Sequence, residues 1–98
     1  MKTVMVRYQV RPEAAADNEA LVREVYAQLA REMPAGFRYQ TVKLADGVSF
    51  VHVATRDSAD ASPLLQLEAF KKFLAGIKER CVVQPETIEV EVLGQYAG

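Results

Sequence analysis

FRYQTVKLADGVSFVHVAT, Phe37 to Thr55, decides the fold. Two alternating runs flank Asp46-Gly47, a pair suited to the positive φ angles of a tight hairpin. If the turn is a two-residue type I′ turn, His52 faces Thr41, Phe50 faces Lys43 and Ala54 faces Tyr39. Val42, Val51 and Val53 point to the opposite side. The valine side reads as core. The side of His52, the only histidine in the chain, reads as the lining of a cavity or an interface.

Residues 3 to 11, upstream of the hairpin, also alternate. Val4, Val6, Tyr8 and Val10 share one side, and Met5, Arg7, Gln9 and Arg11 the other, which predicts a strand. Pro12 suits the first turn of a helix and Glu13 its positive end. Leu21, Val22, Val25, Tyr26, Leu29, Ala30 and Met33 form a helical stripe that Pro34 and Gly36 stop. Downstream, residues 56 to 63 read as a loop, with Arg56 to Ser62 beside any opening of the cavity. Ser62 can cap a second helix and Pro63 can open it. Leu67, Phe70, Phe73, Leu74, Ile77 and Cys81 make that helix's stripe. Gln84-Pro85 breaks the chain, and Ile88, Val90 and Val92 alternate with Glu89, Glu91 and Leu93 in a last strand.

The order is β-α-β-β-α-β in a single α+β domain over residues 1–98. Right-handed crossovers fold it into a ferredoxin-like split β-α-β: a four-stranded antiparallel sheet, strand order 4-1-3-2, with two helices on one face. Val4, Val6, Val10, Val42, Val51, Val53, Ile88, Val90 and Val92 are expected under the helices. Met5, Arg7, Phe37, Tyr39, Thr41, Phe50 and His52 are expected on the open face. A broad apolar patch is unusual on a monomer. A homodimer, sheet facing sheet about a two-fold axis, is the expected cover.

Composition excludes several classes. Half the residues are apolar, 26% are charged and the net charge is −1. With no basic run, no nucleic-acid partner is expected. No apolar stretch is long enough to span a membrane, so no membrane partner is expected either. The strand pattern begins at once, so no signal peptide is read and a cytoplasmic location is the default. A lone cysteine, Cys81, excludes an intrachain disulfide and a cysteine zinc cage. No Gly-rich phosphate loop is present to hold a nucleotide.

Three segments carry a resemblance: Lys2-Thr3-Val4-Met5-Val6-Arg7-Tyr8, Asp46-Gly47-Val48-Ser49-Phe50-Val51-His52-Val53, and Leu67-Glu68-Ala69-Phe70-Lys71-Lys72-Phe73. In this order and length the chain resembles the dimeric α+β barrel superfamily, and within it the antibiotic biosynthesis monooxygenase-like domains. The resemblance covers nearly the whole chain. It implies a homodimer, a pocket under each sheet and, in some members, cofactor-independent oxidation of an activated aromatic molecule. Other relatives degrade haem or isomerise small metabolites. This chain has no Trp, and no histidine on its second helix, which separates it from the haem-degrading relatives.

The expected catalytic residues are His52, Arg7 and Tyr39. His52 is an acid-base candidate because its ordinary pKa lies near neutrality. Arg7 could hold an anion or enolate, and Tyr39 could donate a hydrogen bond. Phe37, Thr41, Phe50 and Phe70 are the expected substrate-binding residues. No cofactor and no metal are expected. As an enzyme, the protein would take a proton from an acidic phenol or enol, and oxygen attack or isomerisation would follow. The rival reading is a non-catalytic ligand-binding or structural homodimer, with His52 bonded to Thr41 or Tyr39 and Arg7 paired with Glu89 or Glu91.

Overall fold

Alternating segments build one sheet, and the helical stripes cover one side of it. The computed structural model describes residues 1–58 and 60–98. Strands β1 (Lys2–Val10), β2 (Phe37–Lys43), β3 (Ser49–Arg56) and β4 (Cys81–Val90) pair antiparallel in the order β2-β3-β1-β4. This is the expected order 4-1-3-2 read from its other edge. Helices α1 (Ala15–Glu32), α2 (Glu68–Ala75) and the short α3 (Ile77–Arg80) lie on one face. No helix among the described residues is long and apolar enough to cross a membrane. In the loop expected over Arg56 to Ser62, Ala59 lies outside the described residues.

The hairpin pairs Tyr39 with Ala54, Thr41 with His52 and Lys43 with Phe50, as the two-residue turn predicted, yet its connection is longer. Leu44 N–H bonds Ser49 O at 2.8 Å, extending the ladder past Lys43, and Gly47 N–H bonds Leu44 O at 3.0 Å. The Asp46 carboxylate accepts from the Val48 and Ser49 amides, and Gly47 takes φ 77°. Four residues instead of two leave the cross-strand register unchanged.

The second helical stripe divides. Ser62 Oγ accepts from Leu64 N–H at 3.3 Å and caps a 3-10 turn, Pro63–Gln66, before α2. Gly76 separates α2 from α3, and Cys81 opens β4 instead of closing a helix. Pro85 lies inside β4 where a break was expected. An edge strand tolerates a missing N–H, and the register slips here, so that Gln84 and Pro85 together oppose Tyr8.

The principal correction concerns the two faces of the sheet. β1 sets Val6 opposite His52 and Tyr8 opposite Phe50. Directly paired residues share a face, so the His52 side lies with Val4, Val6 and Val10 under the helices. Met5 pairs with Ile88 and Thr3 with Val90, which moves Ile88 and Val90 to the open face with Val42, Val51 and Val53. The core is therefore aromatic: Tyr8, Phe50 and Phe73 are each 4% exposed or less, joined by Val10, Val25 and Leu67. Each aromatic ring buries roughly 150–250 Å². Covering that face with the helices removes more apolar area from water than covering the valines.

Candidate functional site

His52 is the centre of the buried polar structure. It projects from the middle of β3 toward the helices and is only 5% exposed. Its Nε2 lies 2.8 Å from the Tyr8 hydroxyl on β1. Its Nδ1 lies 2.7 Å from the Tyr39 hydroxyl and 2.9 Å from the Thr41 hydroxyl, both on β2. The Tyr26 hydroxyl, from α1, closes the group at 2.8 Å from Thr41. Tyr8 and Tyr39 stack on the imidazole at 5.4 and 5.8 Å between centroids.

A second line of bonds favours one tautomer. Arg80 Nε–H donates to Asn18 Oδ1 at 3.0 Å, and Asn18 Nδ2–H donates to the Tyr8 hydroxyl at 2.9 Å. Arginine only donates, so the Asn18 amide has one orientation. The Tyr8 oxygen already accepts from Asn18, and its own hydrogen has His52 Nε2 as acceptor. This order favours the imidazole proton on Nδ1, where Tyr39 and Thr41 can accept it. The Tyr39 hydrogen is left for the Thr41 hydroxyl or for a molecule beside it.

Burial determines the charges. It lowers the His52 pKa to about 4, so the ring is neutral at pH 7. Burial also raises the Tyr8 and Tyr39 hydroxyls well above the ordinary tyrosine value. The group is uncharged and linked by hydrogen bonds throughout.

Beside it lies a cavity of about 450 Å³ between sheet and helices. Its polar end is His52, Tyr39 and Tyr8; its walls include Phe37, Phe70 and Leu64; Ala54 forms the floor; Lys2 and Arg56 stand at the other end. A volume above 300 Å³, mostly apolar walls and a few convergent polar groups suit a small organic molecule. Among the described residues no group of His, Cys, Asp or Glu is placed to hold a metal ion.

The structure brings His52, Tyr39 and Thr41 together and sets Phe37 and Phe70 in the cavity wall. Phe50 stands behind the wall, stacked on Tyr8 at 5.6 Å and 2% exposed. Arg7 lies on the open face, where it was expected; His52 is the residue that lies on the other side, under the helices, so the two do not meet. Arg7 pairs with Glu86 at 3.7 Å, not with Glu89 or Glu91, and both side chains are about 60% exposed. Tyr8, Asn18, Arg80 and Arg56 were missed. The signal for Tyr8 was its alternation with Val6 and Val10. Asn18 and Arg80 come from helices far apart in sequence and leave no local pattern.

This sheet, its helices and the cavity between them define a known fold. The chain has the ferredoxin-like α+β fold of the antibiotic biosynthesis monooxygenase-like proteins. A solved antibiotic biosynthesis monooxygenase superposes with a TM-score of 0.73 at 18% identity, covering 96% of this chain and 100% of that one. A Nitrosomonas europaea protein given as a candidate antibiotic biosynthesis monooxygenase reaches 0.79 at 16% identity, with 96% and 100% coverage. SnoaB, a cofactor-independent oxygenase of Streptomyces nogalater, reaches 0.65 at 21% identity, with 96% and 97% coverage. No protein-family model matches the sequence, and no curated protein matches it.

Proposed function

We propose that the cavity between sheet and helices binds a small aromatic or enolisable molecule, with its hydroxyl or carbonyl oxygen against Tyr39. The observation that carries this reading is the termination of a cavity with mostly apolar walls in the Tyr39–His52 pair. Tyr39 lines the cavity and touches the ligand. His52, held by Tyr8 and Thr41, orients the Tyr39 hydroxyl and exchanges its Nδ1 proton with it. Taking a proton from an acidic phenol or enol requires the ring to switch to the tautomer whose bare Nδ1 accepts through the Tyr39 hydroxyl, with Nε2–H on Tyr8, and leaves a buried imidazolium beside the substrate anion.

The oxygenase form of the reaction follows the likeness to SnoaB and the other oxygenase-fold structures. The substrate supplies the electrons. An activated ring CH₂ loses a proton, its carbanion reduces O₂, and a ring carbonyl and water result. Phe37 and Phe70 would hold the ring plane, and the apolar walls would limit the water around the carbanion.

A second reading has its own support. Both nitrogens of His52 are occupied and burial disfavours its charged form, as in a site that only binds. Oxygen uptake with an electron-rich naphthol or anthrone separates the two. Enzyme action requires a protein-dependent rate that Tyr39→Phe and His52→Gln each lower by at least about tenfold while ligand still binds. Background oxidation alone supports the binding reading.

We also assign the open face, with Met5, Val51, Val53, Ile88 and Val90, to a homodimer. These half-buried apolar side chains form the kind of patch a two-fold partner covers.

A further inference from the structure

At the far end of the cavity from His52, one charged group lacks a partner among the described residues. Arg56 is half-buried and lines the cavity wall. Its Nε is buried and has no hydrogen-bond acceptor among the described residues. None of the ion pairs among those residues includes Arg56. Lys2, its direct neighbour on β1, also lines the cavity and has Glu89 at 4.0 Å. Buried guanidinium N–H groups are ordinarily bonded, so an unmet one on a side chain that lines a cavity marks a place for an acceptor. Its charge favours an anionic acceptor, and a planar carboxylate matches its fork.

The spacing constrains the rest of the ligand. His52, Ala54 and Arg56 alternate along one face of β3, and Ala54 leaves the floor open between them. Four residues of strand span roughly 13 Å between the Cα positions. We propose that the cavity takes a fused-ring aromatic carboxylate, its carboxylate on Arg56 beside Lys2 and its ring hydroxyl at the Tyr39–His52 end. The inference rests on the small-molecule reading of this cavity and adds the acid group. Phe37 pairs with Arg56 across β2 and β3, which sets an aromatic wall directly beside the cation.

Matched probes test it on the full chain: 6-hydroxy-2-naphthoate, its uncharged carboxamide, and 2-naphthol. The chain has no Trp, so naphthalene fluorescence reports binding without protein background at that wavelength. The acid binds at least about tenfold more tightly than the amide, and added salt narrows the difference. Arg56→Gln equalises the two, and Arg56→Lys keeps part of the preference. Equal binding of acid and amide to the native protein overturns the inference and leaves the cavity reading standing, as does an acid preference that survives in folded Arg56→Gln. Failure of all three probes to bind overturns both. The native comparison needs no variant and decides the matter even if Arg56→Gln does not fold.

Discussion

The Tyr8 hydroxyl on β1 and Nε2 of His52 on β3 stand 2.8 Å apart, one strand across, beneath the helices. The contact joins two halves of the structure. Behind Tyr8 run Asn18 and Arg80, and beyond His52 lie Tyr39 and the cavity. The imidazole is thus oriented from the protein side and aimed at the ligand side.

The first consequence is spectroscopic. ¹⁵N-detected NMR of the imidazole should show Nδ1 protonated and Nε2 bare at pH 7. Tyr8→Phe removes the donor to Nε2 and should release that preference, giving a mixture of the two tautomers. A native ring protonated on Nε2 would contradict the hydrogen-bond order argued above.

Stability should depend on pH through His52. Its folded pKa of about 4 lies below the ordinary value of 6.5. The unfolded chain therefore binds the proton first as pH falls. The contribution is complete above about pH 6.5 and is lost progressively toward pH 4, with about 2 kcal/mol gone by pH 5. Urea unfolding at pH 7 and pH 5 measures it. His52→Gln should flatten the difference, and an equal loss in that variant would assign the effect to other groups.

Asn18 is fully buried and serves both Arg80 and Tyr8. Asn18→Ala strips the Tyr8 oxygen of its donor and Arg80 Nε of its acceptor, at a cost of about 1–3 kcal/mol. Denaturant midpoints check this. Glu19→Ala touches only exposed ion pairs with Arg23 and Lys43 and should change stability by less than about 1 kcal/mol.

The open face yields a contrast between two charge insertions. Val53→Asp should leave the fold intact by circular dichroism and shift sedimentation from dimer to monomer. Phe50→Asp should unfold the protein, because Phe50 lies in the core against Tyr8. A native protein that sediments as a monomer at micromolar concentration would sink the dimer.

Element order, strand order and hairpin register were legible in the sequence because period and turn chemistry are local. Which hairpin face meets the helices was not. Both faces are apolar enough to be covered, Val42, Val51 and Val53 on one, Phe50, Tyr39 and His52 on the other, so alternation alone does not choose between them. The choice depends on the β1–β3 register, a contact between residues far apart in sequence, 44 positions between Tyr8 and His52. The same ambiguity placed Arg7 beside His52 when one strand-face separates them. His52, Tyr39 and Thr41 could still be grouped, because the hairpin itself holds them together. Asn18 and Arg80 required the folded arrangement of both helices over the sheet, whereas Arg56 shares the alternation of His52 along β3.

The central claim is that the ligand site lies between sheet and helices, on the His52 side. A titration with 2-naphthol, followed by side-chain NMR of the native protein, tests it most directly. The account predicts shifts at Leu64, Ile77, Phe70 and the His52 ring, with Val51, Val53 and Ile88 unmoved. Shifts confined to Val51, Val53 and Ile88, or no shifts at saturating naphthol, would contradict it.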